Sequence, residues 1–428
     1  MVRPGQSQIL NFNISPYAAA AVLAIGFVLA VLATSAAQAQ TFTVIHSFTG
    51  GLDGGIPYAG LTIDAAGNLY GTTCGAPCGA GVNNAGTVFR LSNKASGWLF
   101  TTLYIFREGS DGAGPTAGVT IGPDGNLYGT TDLGGGDGCA GDGCGTVFSL
   151  KAAVPVPPNI LGGWTESVVY SFKGNGDGDG AYPFLGDVTF DQDGNLYGTT
   201  LQGSYHDRGT VFQLTPSPGG WKEKVLYAFT GESDGAYPYS GVVFDGAGDL
   251  YGTTFSGGGY SCSYGLTCGT VFELMPSGSG WIEETVHSFQ GGGDGGNPIG
   301  GVTPGLYGTT SWGGTGGGGT AFGLYNQFFR YGFTGSGDDY PGPRASLVLD
   351  ATGSVYGTTY SDGAYQYGSV FELQGGAGWG YTSLHDFTGG LDGANPISSL
   401  VFDARGNIFG TTSAGGAYGH GVVFEITP

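Results

Sequence analysis

Positive charge is scarce in this chain of 428 residues: Lys and Arg number 12 against 33 Asp and Glu, for a formal net charge of −21. Such a surface repels a phosphate backbone, and no Lys/Arg cluster offsets it, so nucleic acid is excluded as a partner. No stretch after residue 40 carries a helical period, which argues against helical and mixed folds. No second long apolar run follows the N-terminal one, so no transmembrane segment is expected in the mature chain. The fingerprints G-x-S-x-G and H-E-x-x-H and those of the Walker and dinucleotide loops are all missing.

What is abundant is glycine, 91 residues, interleaved with short runs of Val, Ile, Leu, Phe and Tyr. This reads as many short strands joined by tight turns. Residues 1–39 stand apart, with Arg3 their only charge, an apolar run from Ala18 to Ala33, then Ala37-Gln38-Ala39. That order predicts a secretory signal peptide cut before Gln40, an uncleaved anchor being the alternative. The expected domains are therefore a leader, 1–39, and one domain, 40–428. Six cysteines fall in close pairs, Cys74/Cys78, Cys139/Cys144 and Cys262/Cys268. In an exported chain they read as disulfides; zinc is the alternative, but two cysteines per loop without a nearby His form a poor ligand set.

One core recurs seven times: LYGTT at 69–73, 127–131, 196–200, 250–254 and 306–310, VYGTT at 355–359 and IFGTT at 408–412. Spacings near fifty residues signal a solenoid or propeller. A GTVFxL run follows each core, as at 86–91 and 269–274, and an Asp with Pro four residues on precedes it. With a strand before the core and a Trp-headed run after, each copy supplies four strands, one propeller blade. The phase is informative. A fourth-strand sequence, 41–48, precedes any first strand, and the last copy ends after its third. The expected fold is a seven-bladed all-β propeller whose last blade is completed by 41–48. Copy five (Val302-Thr-Pro-Gly-Leu306) lacks the Asp-x-x-Gly-Asn turn, which predicts a tighter first hairpin.

D-G-x-x-P, G-N-L-Y-G-T-T and G-T-V-F-x-L in seven in-phase copies over 41–427 resemble the GloVer tandem repeat, a propeller-type repeat of exported bacterial proteins. The resemblance implies an extracytoplasmic protein and no particular activity.

Candidate site residues fall in three groups. His46, His287 and His385 share one repeat position, held by Tyr104, Tyr170, Tyr227 and Tyr331 elsewhere, and so read as aromatic-sized packing on separate blades. His206 and His420 lie in loops that could converge. Asp53, Asp111, Asp179, Asp234, Asp294, Asp339 and Asp392 form a ring expected on the same face as the cysteine loops. They could ring a cation or sugar, but their repetition favours turns in which each accepts backbone N–H bonds. Asp177-Gly-Asp179 is the only local doublet suited to a Ca²⁺ loop and lacks the spacing of a full one; no cofactor is expected, Ca²⁺ being the alternative. Trp98, Trp164, Trp221, Trp281 and Trp379 recur in phase as blade packing, whereas Trp312 is out of phase and is a candidate for sugar contact. Tyr260, Tyr264, Tyr365 and Tyr418 occupy comparable loops. The first strands repeat closely with no visible break, so no catalytic residue is assigned. The expectation is a monomeric, non-catalytic scaffold binding glycans, envelope components or a surface protein. A metal-assisted lyase or lactonase at the channel mouth is the alternative, and a purely structural role a third.

Overall fold

The seven copies become seven antiparallel sheets, because each alternates β-branched and aromatic residues between Gly-bearing turns. The computed structural model describes residues 40–75, 85–153, 163–174, 178–262, 265–324, 329–335, 341–374 and 379–428; the expected leader lies outside them. In blade 1 the strands run outward in sequence order: Thr62–Ile63, Leu69–Thr73, Thr87–Lys94 and Gly97–Ile105. Blades 2, 3, 4 and 6 repeat this order. Among the described residues there is no α-helix, only three short 3₁₀ turns, and no helix long and apolar enough to cross a membrane.

Blade 7 consists of Val401–Phe402, Ile408–Thr412 and Val422–Thr427, and its outer strand is Thr41–Ser47. The ring is thus closed by the first of the described strands. Phe48 N–H donates to the Gly421 carbonyl at 3.0 Å, and Phe48 is fully buried. Blade 5 has the shortened first hairpin that its sequence predicts: Thr303 N–H reaches the Tyr307 carbonyl at 2.9 Å. Its innermost segment is too short to form a ladder, leaving three strands.

The core explains the repeat. Every LYGTT glycine lies beneath the Phe of its own GTVF run. A Cβ built on Gly71, Gly129, Gly198, Gly252, Gly308, Gly357 or Gly410 would stand 2.5 to 2.7 Å from that ring. The seven partners, from Phe89 to Phe424, are at most 1% exposed. The two threonines divide their work. Thr254 Oγ1 meets Thr270 Oγ1 within its sheet at 2.8 Å, while Thr253 Oγ1 donates to the Gly300 carbonyl of the next blade at 3.0 Å. The same cross-blade bond, Thr411 Oγ1 to the Ala59 carbonyl at 3.0 Å, joins blade 7 to blade 1. The in-phase Trp residues pack across blades as well: Trp221 on Tyr128, Trp281 on Tyr197, and Trp98 on Phe409 at the closure.

Candidate functional site

The links carrying D-x-x-x-P and the loops joining second to third strands share one face. Asn297 N–H donates to the Cys268 carbonyl and Tyr237 N–H to that of Arg208, each tying a link to the preceding blade's loop. The disulfides Cys139–Cys144 and Cys262–Cys268 lie in two of these loops. Each sits over the link that leaves its own blade, against Gly174 and Gly291. Cys74 is buried in a third loop; Cys78 lies outside the described residues.

The described carboxylates of the Asp ring are engaged in their own turns. Asp234 accepts from Thr230 N–H at 2.7 Å, Thr230 Oγ1 at 2.6 Å, Glu232 N–H at 3.2 Å and Tyr227 O–H at 3.0 Å. Gly235 follows with φ +105°, and any Cβ there would strike Thr254 Oγ1. Asp53, Asp111, Asp179, Asp294 and Asp392 make the matching backbone bond. The His/Tyr position is more than packing. Tyr104 and Tyr170 donate O–H to Asp111 and Asp179 at 2.9 and 2.8 Å. The Nε2 atoms of His46, His287 and His385 meet Asp53, Asp294 and Asp392 at 3.0 to 3.2 Å. His and Tyr interchange because both place a donor at the same reach beyond an aromatic ring. Burial lowers the His46 pKa against the opposing pull of Asp53. Asp53 is itself pushed up by burial but held below the ordinary carboxylate value by its bonds from Thr49 and by His46. Asp339 and Asp177 lie outside the described residues.

Behind three of these pairs stands a second carboxyl, from the next blade's outer strand. Burial and the nearby Asp111 push Glu166 up to about 7. Burial and Asp179 do the same to Glu223, against Lys173. Burial first, and then Asp234 and Glu284, raise Glu283, with Thr285 opposing. A raised folded-state pKa means that the folded chain binds more protons than the unfolded chain between the ordinary Glu value and about 7, so stability falls as pH rises through that window. We expect a higher Tm at about pH 5 than at about pH 8. In thermal scans Glu166→Gln and Glu223→Gln should flatten the slope; an unchanged slope refutes the assignment. His46 works the other way below its ordinary value, but as a single group.

The same face carries exposed tyrosines. Tyr205 is 84% exposed, Tyr418 61%, Tyr365 58%, Tyr260 47% and Tyr367 46%, all between second and third strands. Leu52 and Leu391, on links, are also exposed. Tyr205 and Tyr367, absent from the sequence-based candidates, occupy loops that correspond to that of Tyr260 in other blades. Trp312 is half-buried. Its backbone bridges Gly296, and its ring borders Gly291 beside the Cys262–Cys268 disulfide. Tyr260 belongs to that disulfide's loop, its carbonyl accepting from Cys268 N–H at 3.0 Å; Tyr264 lies outside the described residues. His420 is committed to the link at 50–55, its carbonyl bonded by Ile56 N–H and its ring against Gly50.

The axis departs from the expected regularity. Six copies place five steps between the proline and the first-strand position: Pro57 to Thr62, Pro115 to Thr120, Pro238 to Val243, Pro298 to Thr303, Pro343 to Val348 and Pro396 to Val401. Blade 3 takes six, Pro183 to Thr189, and the surplus brings Asp187 to the axis. Arg344 follows its proline where other copies have Tyr58, Thr116, Phe184, Tyr239, Ile299 and Ile397, and its guanidinium lies 3.5 Å from the centre of the Tyr360 ring. Both line one axial cavity of about 260 Å³. The signal was a one-residue difference in spacing, hidden by matching copies on motif alone. Among the described residues no three His, Cys, Asp or Glu side chains gather as a metal set.

None of the curated proteins matches the chain. A solved X-ray structure assigned as a gluconolactonase has a TM-score of 0.41 at 11% identity, over 91% of this chain and 92% of that one; a likeness at that level carries no argument. The profile of the Gloeobacter/Verrucomicrobia repeat matches residues 31–266 and 263–428. Together these spans take in every described blade, and the chain belongs to the Gloeobacter/Verrucomicrobia repeat family.

Proposed function

We propose that this propeller is an exported, non-catalytic binding scaffold that takes glycan on its loop face. The observation that carries the reading is the set of exposed tyrosines, Tyr205, Tyr260, Tyr365, Tyr367 and Tyr418, gathered on the face of the links. Tyrosine offers a flat apolar ring with a polar tip, which suits stacking on a sugar while its edge stays hydrated. Trp312 adds an aromatic edge beside the Tyr260 loop. The aspartates contribute by holding the links in place beneath these loops. Two loop disulfides support export, since such bonds persist in oxidising compartments. The enzyme reading has less support: among the described residues no three His, Cys, Asp or Glu side chains gather on this face. Retention on immobilised cell-envelope polysaccharide tests the proposal. Replacing Tyr260, Tyr365 and Tyr418 together by Ser should weaken retention at least about tenfold with Tm unchanged; equal retention overturns it.

A further inference from the structure

The axial cavity is built by a local violation of the repeat. The extra residue in blade 3 forces Leu185 to a left-handed φ of 44°, and Gly186 N–H closes a tight turn on the Phe184 carbonyl. A non-glycine residue held there costs stability, and such strain persists where the surroundings enforce it. What the insertion delivers is one carboxylate. Asp187 Oδ1 accepts Gly118 N–H from blade 2 at 2.6 Å. The side chain is open to the cavity, and Oδ2 has no hydrogen-bond partner among the described residues. The surrounding walls of the cavity raise its pKa by desolvation, against the opposing bond from Gly118. The rest of the wall, from blades 1 and 3 to 7, is apolar side chains, hydroxyls and backbone, with Arg344 the other charge.

We propose that this cavity binds one neutral polyhydroxylated ring, a single sugar unit, with Asp187 accepting its hydroxyls. A carboxylate oxygen accepts O–H bonds more strongly than a neutral acceptor does. Asp187 and Arg344 carry opposite formal charges, so a neutral ring meets no net like charge, whereas an anion faces Asp187 and a cation faces Arg344. The volume, about 260 Å³, falls just below the usual range for ligand cavities and suits one ring, not an oligomer. Arg344, stacked on Tyr360, lines the cavity together with Tyr58. The inference rests on the glycan reading and sharpens it: the loop-face tyrosines hold the chain, and the axis takes its terminal unit.

The test is saturation-transfer NMR of the full protein with free glucose, galactose, mannose and N-acetylglucosamine at millimolar concentration. At least one should give ring-proton signals, weakened about tenfold or more by Asp187→Ala. Asp187→Asn, which keeps an acceptor toward Gly118, serves if Asp187→Ala does not fold. No signal from any of the four, or signals unchanged in the folded variant, overturns the axial assignment. The two readings fail separately. Polysaccharide retention lost with the tyrosine replacements but unaffected at Asp187 overturns only the axial site. A monosaccharide bound through Asp187 without polysaccharide retention supports the axial site and overturns the loop-face reading.

Discussion

A chain lacking residues 41–48 should fail to give a cooperatively folded monomer. The segment is the outer strand of blade 7, and its side chains serve two cores. Phe42 and Val44 pack with Val422 and Phe424 of blade 7 and with Val370 and Phe387 of blade 6. Ile45 and Phe48 pack with Leu61, Leu69 and Phe89 of blade 1, and with Phe409 and Val423 of blade 7. Deleting it opens both and leaves Val422–Thr427 with an unpaired edge that invites association. Phe48→Ala alone should cost about 3–5 kcal/mol, the usual range for emptying a buried Phe site. Calorimetry and size-exclusion chromatography read both variants. A monomer lacking 41–48 that melts cooperatively near the parent Tm would show that the ring does not depend on this strand.

Gly252→Ala should be nearly as damaging despite adding one methyl group. The new Cβ would stand 2.5 Å from Phe272 Cζ and 2.8 Å from Cε1. Phe272 cannot withdraw, because it is fully buried and packs edge-on against Phe229 with ring centres 5.1 Å apart. Overpacking typically costs about 1–3 kcal/mol, and a ring fixed on both sides places this case at or above the upper end. Phe272→Leu in the same chain should recover part of the loss, so that the two changes are not additive. Gly246→Ala is the control: nothing lies within 4 Å of its Cβ and its φ is not left-handed. There alanine should be neutral or stabilise by about 0.4–1 kcal/mol, by restricting the unfolded chain. Denaturant melts distinguish the three, and equal midpoints for Gly252→Ala and Gly246→Ala would refute the packing account.

The architecture was legible because one buried strand with fixed neighbours recurs in phase, and phase alone identified the closing strand. The shortened hairpin of blade 5 was legible from its missing turn. The role of the His/Tyr position was half legible. Its occupants share ring size, but their shared donor has meaning only once Asp53 or Asp111 is seen opposite. Asp187 was missed for a physical reason. An insertion at the axis shifts one side chain and leaves every motif intact, so pattern matching absorbs it into a loop. Glu166 and Glu223 were likewise out of reach, since their acidity is set by burial in the fold and then by carboxylates more than forty residues away, across a blade interface.

The closure also sets an order of events during synthesis. Thr41–Ser47 is made before the other described strands, yet its partner Val422–Thr427 is the last of them to be made. Six blades can complete themselves as they emerge, each from contacts close in sequence. The seventh must join the two extremes of the chain, the costliest loop to close. Until then an apolar strand and an open edge are both exposed, and that interval is when a chaperone, or a second nascent copy, would find them.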